Sequence, residues 1–131
     1  MTLVDTSAWI EYLRATGSDA HLAVRTLLDS EATGATTDVV VMELLAGARS
    51  ESHASELRRL LLSTTHLPIR GLADFEAGSE LYRECRRRGV TPRSVNDCLI
   101  AAIAIREGAR LLHHDRDFDS IARCTDLQLT S

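Results

Sequence analysis

Residues 2–9 of the sequence read TLVDTSAW, a short apolar run that ends at an aspartate and continues into a helix-forming segment. The run Thr2–Val4 predicts a buried strand, and Ser7–Arg14 predicts a helix because its apolar side chains recur at helical spacing. The same order recurs further along the chain. Strands are also predicted at Gly34–Thr36, His66–Ile69, Arg110–His114 and Leu127–Leu129. Helices are also predicted at His21–Ser30, Val39–Ala48 (capped by Asp38), Ala54–Leu62, Leu72–Arg88 and Ser94–Glu107, with a short turn at Phe118–Ala122.

Strands that alternate with helices are typical of α/β proteins, in which helices cover both faces of a parallel sheet. We therefore predict an α/β fold with a central, mostly parallel sheet of about five short strands. The length of 131 residues indicates a single domain over residues 1–131.

The composition limits where the protein works. No apolar run is long enough to span a membrane, and the N-terminus carries neither a basic region nor a long apolar stretch. The cysteines Cys85, Cys98 and Cys124 are odd in number and far apart, without a CxxC pair, which favours a reducing compartment over a disulfide scaffold. We expect a cytoplasmic protein.

Two of the predicted strands end at an aspartate. Asp5 follows the first strand and Asp115 follows the strand Arg110–His114. In open α/β sheets, ligands bind beyond the carboxyl ends of the strands, so both acids lie where a site is expected. Asp5 alone could simply be the cap of the helix that follows it. Asp117, two residues after Asp115, adds a second acid at the same strand end.

Two further acids lie within predicted helices. Glu43 sits in Val39–Ala46, a segment that is apolar nearly all round, so its carboxylate faces costly burial unless it has a cation partner or occupies a solvent-facing stripe. Asp97 lies on the first turn of its helix, where it could point at the sheet or close a capping box with Ser94.

Taken together, these carboxylates can converge on one point. Crowded carboxylates repel one another and stay ionised only if a cation binds between them. Hard oxygen ligands suit magnesium or manganese, and paired ions of this kind activate water in nucleases.

Four segments carry these acids: LVDTSAW (3–9), VMELLAG (41–47), NDCLIAA (96–102) and HDRDF (114–118). In their order and spacing they resemble the four motifs of the PIN-domain ribonucleases, and in particular those of the VapC-type toxins of prokaryotic toxin–antitoxin pairs. The resemblance covers almost the whole chain and implies a PIN-like three-layer α/β/α fold.

The resemblance also implies the roles of individual residues. One or two Mg²⁺ or Mn²⁺ ions would be held by the acidic quartet Asp5, Glu43, Asp97 and Asp115, with Asp117 as an additional or alternative ligand. The hydroxyl of Ser7 or Thr6 would assist near the first acid, Asp5. Asn96, on the third motif, would orient a ligand or the substrate.

The reaction implied is hydrolysis of an RNA phosphodiester by metal-activated water, leaving a 5′-phosphate and a 3′-hydroxyl. The substrate would be a structured RNA, tRNA or rRNA, and its cleavage would restrain translation. The partner would be a VapB-type antitoxin, in a toxin–antitoxin hetero-oligomer or beside a toxin homodimer.

Arginines accumulate ahead of the third motif, at positions 83, 86, 87, 88 and 93. The run could guide an RNA backbone to the metal site, or it could complement a helix dipole in solvent. Arg93 adjoins the third motif, and we expect it to support substrate binding. His113 and His114 adjoin Asp115, but neighbours on a strand face opposite sides, so we expect structural roles for both.

Other functions fit less well. All 15 basic residues are arginine, and the aspartate-based phosphoryl-transfer proteins that share such sites pair their acids with a lysine. The phosphate-binding GxxxxGK segment is absent as well. The alternative that stays open is a catalytically inactive RNA-binding or interaction module on the same fold.

Overall fold

The computed structural model of the protein describes residues 1–30 and 33–130. Each predicted helix and four of the five predicted strands are found, with shifted ends. The strands are β1 (Thr2–Val4), β2 (Gly34–Thr37), β3 (Thr65–Leu67) and β4 (Arg110–Leu112). The helices are α1 (Thr6–Leu13), α2 (Asp19–Asp29), α3 (Asp38–Ala46), α4 (Glu51–Leu62), α5 (Leu72–Arg87), α6 (Val95–Glu107) and α7 (Arg116–Cys124).

The sheet has the strand order β3-β2-β1-β4, and every pairing in it is parallel. Leu3 of β1 lies opposite Ala35 of β2 on one side and Leu111 of β4 on the other. The chain leaves β1 towards β2 and later returns across the sheet to β4, which places the switch point of the topology between β1 and β4. A ligand site is expected beyond the carboxyl ends of these two strands.

The core lies between the sheet and its covering helices, and it confirms the predicted three-layer α/β architecture. Leu3 on β1, Leu111 on β4 and Trp9 on α1 are fully buried. Helix α6 is apolar nearly all round and is buried from Cys98 to Ala104. Its packing against α5 requires Gly78, because a Cβ there would lie 3.1 Å from the Cα of Leu99.

The last predicted strand is reduced to one isolated bridge between Leu111 and Leu129, so the described sheet has four strands rather than about five. Strand β4 also ends at Leu112, earlier than predicted. Beyond it, the N–H of His114 donates to the Ser7 hydroxyl (2.9 Å) instead of to a neighbouring strand. Because a side chain accepts this backbone hydrogen bond, the pairing of β4 with its neighbour ends before Asp115.

Two helix starts also differ from the prediction. Asp38 is the first residue of α3 and not its cap; its carboxylate accepts from the backbone N–H of Ile69 and contacts His66, tying α3 to the end of β3. Helix α7 is longer than the predicted turn and begins directly after Asp115. Within the described residues, no helix combines the length and apolarity needed to cross a membrane.

Candidate active site

Asp5 is buried at the carboxyl end of β1, with 4% of its surface exposed. Its backbone N–H donates to the carbonyl of Leu112 at the end of β4 (2.9 Å), which holds the ends of β1 and β4 together. Its Oδ2 accepts from the backbone N–H (2.9 Å) and the hydroxyl (2.5 Å) of Ser7. Asp5 therefore does cap α1 as one interpretation predicted, and it also lies at the switch point.

Asp115 caps α7 in the same way. Its Oδ1 accepts from the backbone N–H of Asp117 (2.9 Å) and from Nη2 of Arg93 (2.8 Å). Oδ2 of Asp117 accepts from the backbone N–H (3.0 Å) and Nε (3.1 Å) of Arg93. The loop between α5 and α6 is thereby fastened to the start of α7 through two carboxylates.

Asp97 projects from the first turn of α6 towards these acids. Carboxylate oxygens of Asp97, Asp115 and Asp117 all lie within 4.8 Å of one another. The predicted capping-box role is not observed: among the described residues no hydrogen bond or ion pair engages the Asp97 carboxylate, and Ser94 caps α6 through the N–H of Asn96.

The charge on Asp97 is uncompensated. Desolvation by burial, together with the nearby carboxylates of Asp5, Asp115, Asp117 and Glu43, raises the pKa of Asp97 from 3.8 to about 7. The negative charge of each of these four acids raises the pKa of Asp97, so all five carboxylates lie close together. A cation at this point would remove the repulsion.

Asp5 and Glu43 flank the three clustered acids without joining them at ligand distance. Burial raises the pKa of Asp5, and the negative charge of Asp115 adds to the increase, while hydrogen bonds from Ser7 and Thr6 oppose it. Glu43 is solvent-exposed, so of the two possibilities that the sequence leaves open, the solvent-facing stripe of α3 is the one observed. Partial desolvation still raises the pKa of Glu43, which Asp5 increases further.

The hydroxyl residues near Asp5 have clear structural tasks. Ser7 donates to Asp5 and accepts from the N–H of His114, so it joins the end of β1 to the loop after β4. The Thr6 hydroxyl donates to Oε1 of Glu43 (3.2 Å), linking α1 to α3 at the edge of the site. Asn96 is exposed on the first turn of α6, beside Asp97.

The arginine run divides into two parts. Its first four members contact partners on their own helix, namely Ser79 (Arg83), the Tyr82 ring (Arg86) and Glu84 (Arg87 and Arg88). Arg93 alone within this run reaches the acids, and its side chain is 71% exposed. The first four arginines fit the prediction of charges that complement a helix dipole in solvent. Arg93 fits the prediction of a residue at the metal site.

The two histidine rings contact groups other than the clustered carboxylates. Nδ1 of His113 accepts from the N–H of Asp115 (3.0 Å), and its ring packs on Phe118. Nε2 of His114 lies 3.4 Å from Glu11. Both rings border a cleft of about 540 Å³ that opens beside Asp115.

Sequence reasoning missed Arg116 and Asp119, which line the same cleft. The available signal was the position of Arg116 between two acids that follow a strand. The pairing of Arg93 with Asp115 and Asp117 was also missed, because 22 and 24 residues separate these partners along the chain.

The chemistry of the donors fits a hard divalent cation. Three carboxylates offer oxygens within 4.8 Å of one another, and Asp97 has no ion-pair partner among the described residues. Oxygen-only donor sets suit Mg²⁺ and Mn²⁺ better than softer metals.

Comparisons with known proteins agree with this geometry. Residues 2–123 match the PIN domain family. The chain is 51% identical to Ribonuclease VapC11 of Mycobacterium tuberculosis, over 100% of this chain and 98% of the relative. The structure is similar to VapBC2 from Rickettsia felis bound to a DNA fragment from their promoter, with TM-score 0.75, 22% identity and coverage of 98% and 96% of the two chains. It is also similar to the sarcin–ricin-loop-cleaving toxin VapC20 of M. tuberculosis, with TM-score 0.66, 21% identity and coverage of 98% and 99%.

Proposed function

The chain belongs to the PIN-domain family and, within it, to the VapC ribonucleases, and from this premise we propose that it is the endoribonuclease toxin of a type II toxin–antitoxin system. The observation that carries the proposal is the convergence of Asp97, Asp115 and Asp117 at the carboxyl edge of the sheet, next to Asp5. Such an acidic centre is suited to metal-assisted hydrolysis of a phosphodiester.

In this proposal the metal ligands are Asp97, Asp115 and Asp117, and the first-strand acid Asp5 adds negative charge from the buried side. Glu43 adds a fifth carboxylate from the edge of α3. A bound Mg²⁺ or Mn²⁺, as one ion or two, would supply an activated water and stabilise the charge that develops on the phosphate.

The remaining residues position this centre. Ser7 is bonded to both Asp5 and the loop after β4, so its hydroxyl is engaged as a support and is not offered as a nucleophile. Thr6 orients Glu43 in the same manner. Asn96 and Arg93 flank Asp97 on the solvent side, where an RNA strand would approach.

We further propose that the substrate is a structured RNA, tRNA or rRNA, whose cleavage restrains translation in the cytoplasm. Cleavage of the sarcin–ricin loop, a segment of rRNA, by the structurally similar VapC20 supports the rRNA alternative. A VapB-type antitoxin is the proposed partner, in a hetero-oligomer or with a toxin homodimer, supported by the likeness to VapBC2. Residues 1–131 would act as one catalytic domain.

The test is cleavage of total RNA by antitoxin-free protein with Mg²⁺, Mn²⁺ or EDTA, beside Asp97→Asn and the control Asp126→Asn. Asp126 is exposed and lies outside the acidic cluster. We expect discrete cuts with either metal that disappear with EDTA and in Asp97→Asn but persist in Asp126→Asn. Intact RNA in every metal condition, from folded protein, would favour the non-catalytic binding module. Cuts that persist in Asp97→Asn would show that the proposed ligands are wrong.

A further inference from the structure

The Arg93 side chain pairs with two carboxylates of the acidic cluster. Its guanidinium donates through Nη2 to Asp115 (2.8 Å) and through Nε to Asp117 (3.1 Å). The side chain comes from the loop between α5 and α6 and is 71% exposed. A fork of guanidinium donors therefore spans two of the three carboxylates that approach within ligand distance.

The two carboxylates keep other donors if the guanidinium leaves. Asp115 still accepts from the backbone N–H of Asp117, and Asp117 still accepts from the backbone N–H of Arg93. These backbone bonds orient the acids, whereas the guanidinium contributes charge on a flexible, solvent-exposed arm. The side chain is thus the replaceable part of the arrangement.

A guanidinium and a divalent cation are attracted to the same carboxylate oxygens, and their like charges exclude close approach to each other. We propose that Arg93 is an internal counter-ion, which occupies Asp115 and Asp117 in the metal-free protein and is displaced when a divalent cation binds. The inference rests on the proposed metal centre and assigns Arg93 the task of setting its metal affinity. It also explains how the acids tolerate one another before metal binds.

The first experiment measures the Kd of the full chain for Mn²⁺ by calorimetry, without RNA. The variants are Arg93→Gln, which removes the charge, and Arg93→Lys, which keeps the charge but lacks the fork. The matched control is Arg88→Gln, since Arg88 is also exposed and ion-paired, but with Glu84 on its own helix.

Removal of an exposed ion pair that metal must break should lower the Kd of Arg93→Gln roughly three- to tenfold. Arg93→Lys should also bind Mn²⁺ more tightly than the native chain, and Arg88→Gln should bind equally. An unchanged or weaker affinity in Arg93→Gln overturns the inference, because Arg93 would then not oppose the metal. Equally tight binding in Arg93→Gln and in the control Arg88→Gln overturns it too, since only net charge would then matter.

A second experiment uses the native chain and so does not depend on the folding of a variant. The arginine Nε–Hε resonance that is missing in Arg93→Lys is followed by NMR during a Mg²⁺ titration. Displacement predicts that this resonance shifts as Mg²⁺ binds and returns with EDTA, while the Arg88 resonance stays in place. An Arg93 resonance that does not move at saturating Mg²⁺ overturns the inference.

The same data separate this inference from the proposed function. If the native chain binds no Mn²⁺, both are overturned. If the native chain binds Mn²⁺ and Asp97→Asn does not, the metal centre stands and the Arg93 variants decide the inference alone.

Discussion

Asp74 and Asp97 occupy matching positions, each on the first turn of one of two helices that pack together, α5 and α6. Asp74 is 5% exposed, and its carboxylate accepts from the backbone N–H of Arg70 (2.6 Å) and from the guanidinium of Arg106. Burial alone would raise the pKa of Asp74, but these two donors outweigh it and hold the pKa below its ordinary value.

Asp97 has the same helix-dipole environment but no donor among the described residues, and its pKa is raised to about 7. The two carboxylates differ in their partners and not in their local sequence setting. A charge that the fold neutralises stabilises the fold, whereas a charge left among other carboxylates is available to a ligand. Substituting both in the same way, aspartate to asparagine, should therefore have opposite consequences.

The largest effect is expected on catalysis in Asp97→Asn. Removing a residue that only supports a metal ligand lowers activity about 10–100-fold. Removing a ligand itself should therefore lower the cleavage rate at least about a hundredfold. The measurement is the initial rate of RNA cleavage at saturating Mn²⁺. Asp74→Asn serves as the comparison and should keep its rate per folded molecule. A rate within a few fold of native in Asp97→Asn would contradict the assignment.

The next effect is on stability in Asp74→Asn. The substitution weakens hydrogen bonds to a charged partner and leaves the half-buried Arg106 guanidinium under-compensated, so the free energy of unfolding should fall by about 2 kcal/mol. Urea denaturation of the metal-free protein measures it. Asp97→Asn, which removes an uncompensated charge, should be as stable as the native chain or more so. If both variants lose stability equally, the two acids do not differ as described.

A smaller effect is expected from pH. The pKa of Asp97 is raised from 3.8 to about 7 in the folded protein, so its contribution to stability is fully present below about pH 4 and is lost as pH rises through about 7. Because Asp97 is partly exposed and screened, the loss should be on the order of 1.5 kcal/mol.

Denaturation of the metal-free protein at pH 5 and pH 8 tests this. The pKa of Asp74 is lowered from 3.8, so Asp74 stays ionised across this interval and adds no slope. Asp97→Asn should reduce the difference in unfolding free energy between pH 5 and pH 8, and Asp74→Asn should leave it unchanged. An equal slope in native and Asp97→Asn protein would place the titrating group elsewhere.

The smallest effect is stabilisation by metal. A cation that binds only the folded state at five times its Kd adds about 1 kcal/mol. Thermal unfolding with and without Mg²⁺ measures it as a rise in Tm. The rise should be absent in Asp97→Asn and present in Asp74→Asn. A rise in both would mean that Mg²⁺ binds outside the acidic centre.

Much of the fold follows from local patterns. The run Thr2–Val4 with the helix after it, and the apolar helix α6, were predicted to within a residue because periodicity and caps depend on near neighbours in the chain. The reduction of the fifth strand to a single bridge was not predicted. Neither was the end of β4, since Ser7, more than a hundred residues away, accepts a hydrogen bond from the backbone N–H of His114. The exposure of Glu43 was left open for the same reason: a helix apolar on most faces does not reveal which face is covered.

The sequence by itself determined that acids follow strand ends and helix starts, because those positions are set by the order of strands and helices along the chain. Only the tertiary structure decided which acids meet. The strand order β3-β2-β1-β4 brings Asp5 beside Asp115, and the loop before α6 brings Arg93 to Asp115 and Asp117. Asp74 finds Arg106 at a separation of 32 residues, while Asp97 finds only other carboxylates. Partners of this kind are chosen by packing in three dimensions, and a local sequence pattern contains no information about distances between segments that are far apart in the chain.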